Sequence, residues 1–225
     1  MPMHRKLIPL TLVTLLCLTL AEAETPEPDV RLVLQLTVDG LRADLLTRSW
    51  QRFGAGGFKR LQRQGTVFSN AHYQHANTET IVGHATLATG AQPSVHGMTG
   101  NVWFDASTGD LAYNIEDSDA PIRPVRDASV SGDQVDPAQK LARSAGRSPR
   151  ALLAETFADK LVSYSAGKAR AFAVSGKDRG AGPMAGKAGK AFWMSTDSGD
   201  FVTSAYYFES YPDWVAQWNA ERKAE

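Results

Sequence analysis

Residues Val30 to Val38 form a nearly continuous run of β-branched and leucine side chains that closes on Asp39-Gly40. A run with almost no polar alternation has no solvent face. It therefore reads as a strand buried on both sides, as in a parallel sheet covered by helices. Leu41 to Trp50 follows with helical spacing, and a strand that leads directly into a helix points to an α/β architecture. In open α/β sheets ligands gather beyond the carboxyl ends of the strands. Asp39 is thus placed either as a turn former or as a ligand.

Gly54-Ala55-Gly56-Gly57 reads as a loop, since neither a P-loop lysine nor a dinucleotide fingerprint follows in frame. Phe58 to Gly65 reads as a short helix closed by glycine, and Thr66 to Tyr73 as an alternating strand. His72 and His75 are three apart, which on a strand means opposite faces and argues against a shared metal. Asn77 to Gly90 reads as a loop feeding a short helix. Asn77, Thr78 and Thr80 are N-cap types, Ile81, Ala85 and Leu87 make an apolar stripe, and Gly90 suits a left-handed cap. A hydroxyl at that start lies in the positive field of a helix N-terminus. To attack, however, a threonine needs a base or a metal ion, and simple capping is the plainer role for Thr78 and Thr80.

Pro93 to Asn101 is a turn-rich return leading into a hairpin, Val102–Asp105 and Leu111–Asn114 across Ser107 to Asp110. Asp117 to Asp136 is polar and irregular and reads as a surface excursion. Ser148-Pro149-Arg150 is expected to open a helix over Ala151 to Ser163. Ala169 to Ser175 reads as a second buried strand, returned to the sheet in the parallel sense and ending in Gly176-Lys177-Asp178-Arg179-Gly180. A further hairpin, Phe192–Met194 with Phe201–Ser204, precedes an amphipathic helix over Pro212 to Lys223. Trp193, Trp214 and Trp218 read as core or interface residues.

Lys+Arg and Asp+Glu are 24 each, so no global field points to a nucleic-acid polymer or an anionic membrane surface. Residues 1–23 have the form of a secretory signal peptide: the basic stretch His4-Arg5-Lys6, the apolar Leu7 to Leu20, then Ala21-Glu22-Ala23. The expectation is a periplasmic or secreted protein with no stable membrane anchor after cleavage. The only cysteine, Cys17, lies inside that apolar run, so the mature chain has no disulfide framework and must draw its stability from a core, from metal, or from both.

Four features could meet at one end of a parallel sheet: Asp39, Thr80, Asn101, and Lys177 with Arg179. A carboxylate and an alkoxide can hold a divalent metal through oxygen, while Lys, Arg and an amide suit the oxygens of a phosphoryl group. The order of motifs is Val38-Asp39-Gly40, Gly56 to Leu61, Thr80-Ile81-Val82-Gly83-His84, Pro93-Ser94-Val95-His96-Gly97 with Gly100-Asn101, then Lys177-Asp178-Arg179. That order resembles the alkaline phosphatase superfamily, specifically its periplasmic threonine-nucleophile zinc-dependent alkaline phosphatases, which are related to type I phosphodiesterases and nucleotide pyrophosphatases. The resemblance implies an alkaline-phosphatase-like, mostly parallel α/β sheet flanked by helices, with residues 24–225 as the N-terminal part of a catalytic domain. It implies phosphate monoester hydrolysis through a phosphothreonine, with Thr80 as nucleophile. Asp39 would be a zinc ligand beside Thr80, and Asn101, Lys177 and Arg179 would be contacts to the phosphoryl oxygens. The Lys-x-Arg pair suits a monoester dianion. His84 and His96 match motif residues without being ligands in the family, and read as structural.

Family members use two zinc ions, completed by an Asp-x-x-x-His, an adjacent Asp-His pair and a later His. No histidine follows His96 here. The expectation is therefore an N-terminal portion of a longer protein, with an incomplete sheet and no catalysis by itself. The alternatives are a phosphodiesterase or nucleotide pyrophosphatase of the same superfamily, and a non-catalytic secreted module that binds phosphate esters.

Overall fold

The structure is a computed structural model and describes residues 30–125, 141–196 and 198–221. The segment read as signal peptide (1–23), residues 24–29, the second half of the surface excursion, Asp197 in the second hairpin turn and the last two residues of the helix expected over Pro212 to Lys223 lie outside the described residues. The chain divides into two units, 1–36 and 37–225.

Val30 to Val38 does not form the expected strand: among the described residues it enters no sheet, and Leu32 and Leu36 are 77% and 74% exposed. β-branched side chains favour extended backbone, but a strand exists only when a neighbour takes its N–H and C=O groups. No described strand pairs with this run. Thr66 to Tyr73 likewise remains irregular.

Helices α1 (Ala43–Ser49) and α2 (Gly57–Gln64) fall where the apolar spacing puts them, α1 being extended by a 3-10 turn over Trp50–Arg52. The centre of the second unit is α3 (Thr80–Thr89), which ends at Gly90 with φ +66°, a left-handed cap that favours glycine. Its Ile81, Val82 and Ala85 are fully buried with Met98, Tyr113, Ile115 and Leu152. Leu87, expected on the same stripe, faces outward. The short α4 (Pro93–His96) turns the chain at Gly97 (φ +80°) into the hairpin β1 (Val102–Asp105) and β2 (Asp110–Tyr113), antiparallel with Val102 opposite Tyr113.

The helix expected from Ala151 begins later, as α5 (Phe157–Tyr164). Thr156 caps it with a reciprocal box: its hydroxyl accepts Asp159 N–H at 3.1 Å while Asp159 Oδ2 accepts Thr156 N–H at 2.9 Å. That pair outranks Pro149 as a start signal because it satisfies two orphan donors at once. Strand β3 (Phe172–Ser175) pairs in parallel with β4 (Lys190–Met194), as its connection through a helix requires, and β4 pairs antiparallel with β5 (Phe201–Val202). β3 is buried on one face only, with Phe172 and Val174 exposed.

The connection from β3 to β4 is α6 (Asp178–Ala185), a helix that the sequence reading, which only ended the strand in Gly176 to Gly180, did not foresee. Two glycines and Pro183 disfavour a helix locally. Packing overrides them: a Cβ on Gly180 would meet Ser175 Oγ at 2.4 Å and stand 3.8 Å from His84 Nε2 of α3. Small residues are thus what let α6 lie against α3 and the sheet. Ala181 and Ala185 join a second core with Ala173, Ala191, Trp193, Val202 and Tyr207. The last helix, α7 (Asp213–Glu221), buries Val215 and sets Trp214 edge-on to Phe192 at 5.3 Å. Among the described residues no helix is long and apolar enough to cross a membrane.

Candidate functional site

The N-terminus of α3 needs partners for its first N–H groups, and its own N-cap, Glu79, supplies no side-chain bond. The cap comes from far along the chain: Asn101 Oδ1 accepts the Ile81 N–H at 3.2 Å. This settles which way the Asn101 amide faces, since only the oxygen can accept from an N–H, and its NH2 is directed away as a donor. Asn101 is held on its backbone as well. Its N–H donates to Glu79 Oε2 at 2.5 Å, and its carbonyl accepts from Asn114 Nδ2 at 2.7 Å and Asn114 N–H at 3.2 Å. Asn77 closes the ring, accepting Glu79 N–H at 3.1 Å and donating to Thr99 O at 2.7 Å.

Thr80 is the first residue of α3, half-buried, and its hydroxyl donates to Asp39 Oδ2 at 3.2 Å. Asp39 follows the apolar run in a turn whose Gly40 has φ +70°. Thr78 makes no cap, so of the two threonines it is Thr80 that meets the carboxylate. His84 Nδ1–H donates to Thr80 O at 2.8 Å one turn later.

Behind the site three side chains form a line. His75 Nδ1–H donates to Asn77 O at 2.7 Å, His75 Nε2 meets Thr86 Oγ1 at 3.0 Å, and Thr86 Oγ1 meets His96 Nε2 at 3.1 Å. The Met98 N–H donates to His96 Nδ1 at 3.1 Å, so His96 carries its proton on Nε2 and gives it to Thr86, which in turn donates to His75. Every bond is satisfied with both imidazoles neutral. Burial, reinforced by the nearby His75, holds His96 below the usual histidine pKa. His72 bonds Asn70 instead, so the two histidines three apart share no site.

Lys177 is the exposed N-cap of α6, and Arg179 is buried in its first turn. Arg179 Nη1 donates to the Tyr113 hydroxyl at 3.5 Å, and Tyr113 directly precedes the Asn114 that grips Asn101. The structure thus joins Asp39 to Thr80 by a direct bond, sets Asn101 on the N–H of the next residue, Ile81, and links Arg179 to Asn101 through Tyr113 and Asn114 at the end of β2. It also shows partners that sequence reading gave no role, Glu79, Tyr113, Asn114, Arg147 and Asp178, while Asn77, read as an N-cap type, bonds the Glu79 N–H and the Thr99 carbonyl instead of capping α3. Among those given no role, only Asp178 was visible in the sequence, as the middle residue of Lys177-Asp178-Arg179. Asp39 and Thr80 present two oxygen donors of the kind zinc accepts. Among the described residues no group of three His, Cys, Asp or Glu side chains is disposed to hold a metal.

The family described as type I phosphodiesterase/nucleotide pyrophosphatase matches residues 33–224. Alkaline phosphatase PafA of Elizabethkingia meningoseptica is 35% identical over 88% of the chain and 34% of its own length. Alkaline phosphatase PhoV of Synechococcus elongatus is 34% identical over 85% of the chain and 32% of its own length. The chain thus spans about a third of the length of these relatives. The crystal structure of wild-type PafA matches with a TM-score of 0.69 at 31% identity, covering 80% of this chain and 32% of that one. A PafA variant with substitutions at one threonine, one asparagine, one lysine and one arginine matches with a TM-score of 0.70 at 29% identity, covering 82% of this chain and 33% of that one. With its α/β fold and the family match along nearly all of its described length, the chain belongs to the type I phosphodiesterase/nucleotide pyrophosphatase family, within the alkaline phosphatase superfamily.

Proposed function

We propose that this chain carries the nucleophile and the phosphoryl-binding groups of a secreted, zinc-dependent phosphate monoester hydrolase. The observation that carries the reading is the convergence of Asp39, Thr80 and Asn101 at the N-terminus of α3. Support also comes from the PafA variant. Its substituted threonine and asparagine, and its substituted lysine and arginine, are the same residue types at the same separations along the chain as Thr80 with Asn101 and Lys177 with Arg179.

Thr80 Oγ gives up its proton toward Asp39 and attacks phosphorus, the ester P–O bond breaks, and the leaving oxygen takes up a proton and departs as the alcohol. Water then attacks the phosphothreonine, the P–Oγ bond breaks, and phosphate leaves with Thr80 restored. The Thr80 hydroxyl already points its proton at Asp39, and the helix dipole favours negative charge at that end of α3. Asn101 offers its amide N–H groups, and Lys177 and Arg179 balance the two charges of a monoester. Asp39 and Thr80 would hold zinc, which when bound lowers the proton affinity of the hydroxyl and stabilises negative charge on it. The donors are arranged around charge that develops in the transferring group, where electrostatic positioning does most of the work.

The test is a single-turnover trap: incubation with a phosphate monoester and Zn2+, an acid quench, and peptide mass spectrometry. The trap reads only the first half of the reaction: at most one phosphate per chain on Thr80, absent in Thr80→Ala and without sustained turnover, is the expected result; label elsewhere, or none, overturns the reading. The family description favours a second reading, a diesterase. A preference for monoester over diester that collapses in Lys177→Ala excludes it, and a preference for diesters establishes it.

A further inference from the structure

Between the two cations assigned to the phosphoryl group stands an acid, Asp178, that the proposed reaction does not use. A carboxylate beside an anion site is adverse: it repels the incoming ester and competes for the cations. Here it is turned inward. Asp178 is 0% exposed, and both of its oxygens are engaged. Oδ1 accepts the Tyr113 hydroxyl at 2.7 Å and the Arg179 N–H at 2.7 Å, and Oδ2 accepts Arg147 Nε at 2.6 Å. Arg147 is 2% exposed, lies 4.9 Å over the Tyr113 ring, and gives its Nη1 to the carbonyls of Ser144 and Gly146 at 2.6 and 2.8 Å. The formal charges of Asp178 and Arg147 cancel, leaving the net positive charge of this corner to Lys177 and Arg179.

Geometry then gives Tyr113 a direction. Its proton goes to Asp178, so its lone pairs face the other way and receive Arg179 Nη1 at 3.5 Å, the long end of the range, which leaves room to tighten when an anion arrives. Burial and the Asp178 carboxylate push the phenol far above its ordinary pKa, so it keeps that proton at every working pH.

We propose that Tyr113 and Asp178, with Arg147 as counter-ion, are positioning residues that hold the Arg179 guanidinium ready for the phosphate ester without touching the ester themselves. This rests on the reading of Arg179 as a phosphoryl ligand. The experiment is a double-mutant cycle on the full chain with inorganic phosphate as the probe, followed by 31P line broadening, in wild type, Arg179→Ala, Tyr113→Phe and the double variant. Tyr113→Phe removes one hydroxyl and is expected to weaken phosphate about three- to ten-fold, the scale of one hydrogen bond. In the Arg179→Ala background it is expected to do nothing further. Equal loss in both backgrounds, or no loss, overturns the positioning role while leaving Arg179 as a ligand. If Arg179→Ala and wild type do not differ, the reading of Arg179 falls, and this proposal with it. A second readout needs no phosphate: the Arg179 Nε–Hε resonance, identified by its loss in Arg179→Lys, is sharp in wild type and broadens in Tyr113→Phe. An Arg179 signal unchanged in that variant overturns the proposal.

Discussion

His96 and Arg147 show how far single side chains set the behaviour of this chain. His96 must stay neutral to accept the Met98 N–H on Nδ1, and burial holds its pKa below the unfolded value of about 6.5. The sign follows: between the two values the unfolded chain binds the extra proton, so stability is full above pH ~6.5 and falls as the pH drops through the folded pKa. Urea midpoints measured from pH 8 to pH 5 should decline in the wild type and lose part of that slope in His96→Gln. Arg147→Met strands the fully buried Asp178 carboxylate and should cost about 3–5 kcal/mol, read from the same midpoints. Thr80, Asn101, Lys177 and Arg179 could be singled out in the sequence because each stands at the edge of a helix or strand within a motif, and Asp39 because it closes an apolar run on a glycine turn; the roles proposed for them await the tests above. Tyr113, Asn114 and Arg147 could not be singled out, because what makes them matter is a partner many residues away.

Elements governed by local chemistry came out as read. The hairpin β1–β2 and the stop of α3 at Gly90 depend on turn residues, and the structure keeps both. α5 started late because Thr156 and Asp159 cap each other while Pro149 only permits a helix. Thr156→Ala should therefore destabilise the chain by about 0.5–2 kcal/mol, measurable as a shift in urea midpoint with no change in slope. α6 failed the sequence test because its glycines and proline argue against a helix, and it exists because those small residues let it approach α3. The run Val30 to Val38 failed in the opposite sense. Its propensity is strong, but propensity supplies no ladder partner.

On the scale of the whole molecule, two cores meet at α6, where Gly182 would place a Cβ 3.4 Å from Ile115 of the first core while Ala181 and Ala185 belong to the second. The chain carries no net charge, with a pI of about 7.0, so long-range repulsion does little to keep copies apart at neutral pH. Against that background the exposed stretch from Val30 to Val38 is adhesive: backbone that enters no described sheet, beside side chains that prefer one, is a template for pairing with the same stretch of another molecule. Light scattering should report particles that grow with concentration near neutral pH, and Leu34→Lys should reduce that growth by placing a charge in the middle of the run. Anyone handling the chain would meet this first, as a preparation that turns cloudy on concentration.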